Sequence, residues 1–71
     1  MEEQVHPTAP AAGQAIQALA LPTACALTAI IRRGELMLPR ADLVLQPGDD
    51  VLAIVHTSQE GQLEALLGRA T

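Results

Sequence analysis

Four segments of the chain carry a hydrophobic pattern, and they differ in period. Residues 25–32 read CALTAIIR and residues 51–55 read VLAIV. Both are short, apolar at both parities and rich in β-branched residues, which predicts strands. In the first, Leu27, Ala29 and Ile31 point one way, and Ala26, Thr28, Ile30 and Arg32 the other. In the second, Val51, Ala53 and Val55 oppose Leu52 and Ile54. Residues 11–20, AAGQAIQALA, carry Ile16 and Leu19 at i,i+3 with alanines beside them. That spacing predicts a short helix over 14–20, weakened at its start by Gly13 and ended by Pro22. Leu63, Leu66 and Leu67 fall at i,i+3,i+4 and predict a C-terminal helix.

The polar positions punctuate these runs. Arg33-Gly34 predicts a tight reversal, after which Leu36-Met37-Leu38 returns as a strand that Pro39 stops. Gln46-Pro47-Gly48-Asp49 suits a type II turn, with Pro second and Gly third. Val44 is a candidate for one bridging pair in the connection between them. Thr57-Ser58-Gln59-Glu60 has the form of a capping box, with Thr57 as N-cap. Gly68 suits the far end of that helix, and Arg69 its negative pole. Near the N-terminus, Gln4-Val5-His6 predicts a weak edge strand before Pro7, or else a loose end. The element order is β-α-β-β-β-α, in a single domain over 1–71, with 11–68 as its core.

Size raises a difficulty. A chain of 71 residues buries only about 60% of its unfolded surface and needs a supplement to its core. The lone Cys25 forms no internal disulfide and suits a reducing cytosol. Cys25, His6 and His56 lack the spacing of a zinc site. Oligomerisation is the supplement that remains. The strands point the same way: two short helices cover one sheet face, which leaves Ile30, Leu52 and Ile54, or the opposite set, open. A two-fold dimer would bury that patch.

Composition excludes several functions. The sequence has no Phe, Trp or Tyr, which removes the stacking platforms of single-strand nucleic-acid binding. A net charge of −4 without one lysine argues against a phosphate-backbone binder. No apolar run approaches the ~20 residues that span a bilayer, and MEEQVHP lacks the apolar centre of a signal peptide. No nucleophile–base pair or acid–base carboxylate pair is evident, so the expectation is a binding module and not an enzyme.

Three of the four arginines, Arg32, Arg33 and Arg40, fall within nine residues of this acidic chain. Their planar forks suit phosphate, so an anion site is one reading. The other is hairpin-end charge pairing with Glu35 and Asp42. Asp49 and Asp50 read as turn chemistry and solubility, since two carboxylates fill too few places around a divalent cation. His56 reads as a strand-end side chain, His6 takes no assigned role, and Cys25 reads as a small buried hydrophobe.

The succession of these pieces resembles one family. The segments G-x-x-x-x-x-L-x-L-P (Gly13, Leu19, Leu21, Pro22), T-A-I-I-R-R-G-E-L (Thr28 to Leu36) and P-x-x-D-x-x-L-x-P-G-D (Pro39, Asp42, Leu45, Pro47, Gly48, Asp49), then an apolar strand and a terminal helix, are similar to the TrkA-C domain. This is the C-terminal half of the RCK regulatory unit of potassium channels and transporters. The resemblance implies a small dimeric α+β fold, a mostly antiparallel sheet of three to four strands with two short helices. It implies a cytosolic regulatory domain without enzymatic activity, attached to or associated with a membrane cation channel or transporter. It further implies that the cleft between subunits can take cyclic di-AMP or another small anion. The matching positions are Ile30, Ile31, Arg32, Leu38, Pro39 and Arg40. A purely structural dimerisation module without ligand is the alternative. No other cofactor and no metal is expected.

Overall fold

The fold is a four-stranded antiparallel sheet with one face covered, described over residues 1–68 of a computed structural model. The strands are β1 (Glu2–Gln4), β2 (Cys25–Arg32), β3 (Glu35–Met37) and β4 (Asp50–Val55), and their order in the sheet is β1-β4-β2-β3. Among the described residues a single α-helix, α1 (Glu60–Leu67), follows β4 through a 3-10 turn at Thr57–Gln59. The expectation for Arg69 lies outside the described residues.

The central pair is β2 with β4. Cys25 faces Val55, Leu27 faces Ala53, and Ile30 faces Val51. Between Leu27 and Ala29 the register shifts by one residue, so Thr28 is extra on its strand. This bulge corrects the uniform alternation expected for β2. Leu27 and Ile30 share the covered face, whereas Ala29 and Ile31 turn to the other. On β4 the expected division holds: Val51 and Ala53 are buried.

The β2–β3 hairpin closes through Arg33 and Gly34, at φ 52° and 80°. Two consecutive positive φ values make a two-residue turn whose twist matches that of the strands. β3 ends at Met37, so Leu38 lies just beyond the strand expected to contain it. The Gln46–Asp49 turn also forms as expected. Gly48 sits at φ 91°, and the Asp49 amide donates to the Gln46 carbonyl at 3.1 Å. β1 lies two residues earlier than expected. Its register is set by Val5, whose side chain is buried, while the Val5 amide donates to the Asp49 carbonyl at 2.8 Å and Val5 O accepts from Gly48.

The helix expected over 14–20 does not form. Only a 3-10 turn, Ile16–Ala18, appears there, and Leu19 is already extended (φ −83°, ψ 140°). The segment's donors go elsewhere. Gly13, Ile16 and Gln17 donate to the carbonyls of Leu45, Leu43 and Ala41, and Leu45 donates back to Gln14 O. Ala15 and Val44 form a β-bridge, which places the bridge expected at Val44. A helix of seven residues closes too few hydrogen bonds to outweigh nucleation, so pairing with a neighbouring extended strand prevails.

The capping box is also corrected. His56, not Thr57, is the N-cap of the 3-10 turn, its ring accepting the Ser58 amide, and α1 itself starts at Glu60. Leu63 and Leu67 are buried and Leu66 half-buried against the core, as their spacing predicts. With Val5, Ala9, Ala11, Ile16, Ile30, Leu45, Val51 and Ala53 they form one cluster beneath the sheet.

Candidate functional site

The hairpin end and the Pro47-Gly48 turn meet at one corner of the sheet. β2 carries Arg32 to that corner as its last residue. The turn delivers Asp49, buried to 2% exposure, immediately before β4. Arg32 Nε donates to Asp49 Oδ1 at 2.9 Å, and Arg32 Nη2 donates to Asp49 Oδ2 at 2.8 Å. This is the two-toothed geometry that a guanidinium offers a carboxylate. Arg32 Nη2 also donates to the Val44 carbonyl at 2.8 Å, and the Gln46 amide donates to Asp49 Oδ2 at 2.9 Å. One ion pair thus fastens β2, the 40s segment and the turn together.

Charge at this corner is well compensated. Burial pushes the Asp49 carboxyl up, but the Arg32 hydrogen bonds and the Gln46 amide outweigh it, with help from the Arg33 charge. The carboxyl is held below its ordinary range. The Asp49 hydrogen bond likewise raises Arg32. Asp49 and Asp50 do not converge: Asp50 pairs with Ile31 on the opposite parity from Val51. No cluster of three or more His, Cys, Asp or Glu side chains able to hold a metal occurs among the described residues.

The six positions expected to line a ligand site divide in two. Leu38 and Arg40 are exposed, and Ile31 and Pro39 are half-buried, so these four reach the surface. Ile30 is fully enclosed in the core and does not reach the surface. Arg32 is 19% exposed and its Nε and Nη2 are committed to Asp49 and Val44, which corrects the pairing expected with Glu35 or Asp42. The Asp49 partner went unforeseen because 17 positions separate the two residues and no local spacing signals it. Arg33, exposed at the turn, lines a shallow cleft of about 360 Å³ with Arg32, Glu35 and Met37. A larger one, about 590 Å³, opens elsewhere between β1 and the Pro47-Gly48 turn and includes His6 and Gly68. Cys25 is half-buried at the start of β2, and burial raises its thiol, in keeping with an inert packing residue.

The second feature is the outer face of the sheet. Parity places Ala26, Ala29, Ile31, Leu52 and Ile54 there, Leu36, paired with Ile31, extends it onto β3, and Asp50, Glu2 and Gln4 form its polar margin on the β1 side. Ile54 is 72% exposed and Leu36 67%. α1 and the 9–16 and 43–45 segments supply core residues to the opposite face.

Comparison with known proteins agrees with this architecture. The family model of the TrkA-C domain matches residues 1–68. A protein described as the Trk system potassium uptake protein TrkA homolog of Archaeoglobus fulgidus is 35% identical over 68 residues. That match covers 96% of this chain but 16% of the relative, so the chain spans about a sixth of its length. A solved structure described as an RCK domain with cda superposes with a TM-score of 0.76 at 16% identity, covering 93% of this chain and 96% of that one.

Proposed function

The chain belongs to the TrkA-C family, and on that footing we propose that it is the cytosolic regulatory domain of a potassium or other cation uptake system. Its part is regulatory and not catalytic. It acts as a homodimer, and its further partner is a membrane channel or transporter, covalently attached or associated. The observation that carries this reading is the apolar outer face of the sheet, with Ile54 72% and Leu36 67% exposed. Monomers seldom leave a contiguous patch of that kind in water. A second copy of the same face is self-complementary by symmetry and needs no new chemistry.

The regulatory input is cyclic di-AMP or another small anion held in the cleft between subunits. Arg40 and Leu38 are the exposed members of the expected set, with Ile31 and Pro39 beside them. Arg40 supplies charge to a phosphate, and the aliphatic side chains receive the base, in the absence of aromatic residues. Arg32 contributes indirectly, by fixing the end of β2 to Asp49. A ligand that bridges both subunits favours one dimer geometry, and the transporter reads that geometry.

A structural dimerisation module without ligand is the second reading. It is favoured by the commitment of Arg32 to Asp49, which leaves a smaller free positive charge than three clustered arginines suggest. Thermal melting separates the two. A nucleotide present at about 100 times its Kd adds about 2.7 kcal/mol of stability. Stabilisation by cyclic di-AMP that Arg40→Ala abolishes supports the ligand. No shift with cyclic di-AMP or any other nucleotide leaves the structural module.

A further inference from the structure

His6 and His56 are held in the same unusual way. His6 Nδ1 lies 3.1 Å from the Thr8 amide nitrogen and 2.8 Å from Thr8 Oγ1. His56 Nδ1 lies 3.1 Å from the Ser58 amide nitrogen and 2.8 Å from Ser58 Oγ. Each ring caps the residue two positions on, once in His-Pro-Thr and once in His-Thr-Ser. A backbone amide can only donate, so each Nδ1 is placed to accept from the amide two residues on. The Thr8 and Ser58 hydroxyls lie beside the same nitrogens, where a hydroxyl can either donate or accept.

Both turns fasten the same helix. The His6 amide donates to Leu67 O at 2.8 Å, and the Ala11 amide to Leu66 O at 3.0 Å, so the segment opened by the His6 turn closes the last carbonyls of α1. At the other end, the His56 ring caps the 3-10 turn that leads into α1. The His56 amide donates to Ala24 O at 2.9 Å, and the Ala24 amide to Gln59 Oε1 at 2.8 Å, which ties that turn to the approach to β2. The titratable groups around the histidines are few. Glu3 of β1 lines the same cleft as His6, and the Pro47-Gly48 turn beside it brings Asp49, already held by Arg32. Glu60 and Glu64 lie on α1, and Cys25 lies on β2 beside the strand end that His56 follows. Neither histidine has an ion-pair partner within 4.0 Å among the described residues.

We propose that the two histidine turns are a pH-responsive latch on α1. With neutral rings both turns are closed. Protonation converts each Nδ1 from an acceptor into a donor that faces an amide donor, so both turns open and α1 loses its fastening at both ends. Histidine makes this change in the range of about pH 5 to 8, where no other ordinary side chain does. The latch is independent of any ligand at the arginine corner and of the dimer.

Nuclear magnetic resonance of the intact chain tests it, by following the ring nitrogens and the backbone amides from about pH 8 to pH 5. As the rings gain protons, the Thr8 and Ser58 amide protons should lose their hydrogen-bonded shifts. Exchange protection of the His6 and Ala11 amides, which bond the end of α1, should fall by roughly tenfold or more. His6→Asn with His56→Asn places a side-chain carbonyl that accepts at every pH, and in that variant the amide shifts and protection should stay flat. Rings that titrate without any change in these amides, or an equal loss in the double Asn variant, would overturn the proposal.

Discussion

Arg32 grips both carboxylate oxygens of Asp49, at 2.9 and 2.8 Å, across the corner where β2 ends and β4 begins. Asp49 is 2% exposed and Arg32 19%, so the pair is largely shielded from water. Removing one partner leaves the other buried and uncompensated. Arg32→Ala should therefore lower stability by about 3 kcal/mol or more in urea denaturation. In a domain whose total is of order 5 kcal/mol, that leaves a substantial unfolded fraction. Asp49→Asn, which keeps the shape and one acceptor, should cost less than Asp49→Ala.

The same pair sets an acid limit. The Asp49 carboxyl is held below its ordinary range by Arg32 and Gln46 despite burial. The folded state therefore binds this proton less readily than the unfolded state does. The pair's contribution is fully present above about pH 4, the unfolded range for Asp, and is lost as pH falls through the lower native value. Stability measured below about pH 4 should decline less steeply in Asp49→Asn than in the parent chain. Identical slopes would mean that Asp49 titrates alike in both states.

Turn geometry gives a prediction of opposite sign at two positions. Gly48 sits at φ 91°, with open space where a Cβ would stand, so Gly48→Ala should cost about 1 kcal/mol through backbone strain alone. Arg33 adopts φ 52° in the hairpin turn, a conformation that asparagine tolerates better. Arg33→Asn creates Asn-Gly, the favoured pair for this turn, and should stabilise by about 0.5 kcal/mol in the same assay.

Local chemistry made most of the sheet legible in the sequence. β4, the core of β2, the Arg33-Gly34 reversal and the Pro47-Gly48 turn each depend on neighbouring residues, and each forms as read. Most of what was not legible depends on distant partners. The 13–17 segment has helical composition, yet the amides of Gly13, Ile16 and Gln17 find the carbonyls of Leu45, Leu43 and Ala41. The extra residue Thr28 in β2 leaves no mark on local periodicity, and it moves Ala29 and Ile31 to the outer face. His56 displaces Thr57 as cap because its ring reaches the Ser58 amide first, a role that the capping-box pattern does not contain. The Arg32–Asp49 clasp emerges only from the fold, because its two residues stand 17 positions apart.

The proposed homodimer depends on the outer face of the sheet as an interface between two copies. Light scattering at micromolar concentration tests it directly, on the parent chain and on Ile54→Glu. Ile54 is 72% exposed, so the substitution should leave the monomer fold intact by circular dichroism. A dimer through this face should give twice the 7.4 kDa chain mass for the parent and a single chain mass for Ile54→Glu. A parent chain that scatters as one 7.4 kDa monomer, or a dimer that Ile54→Glu leaves unchanged, would contradict it.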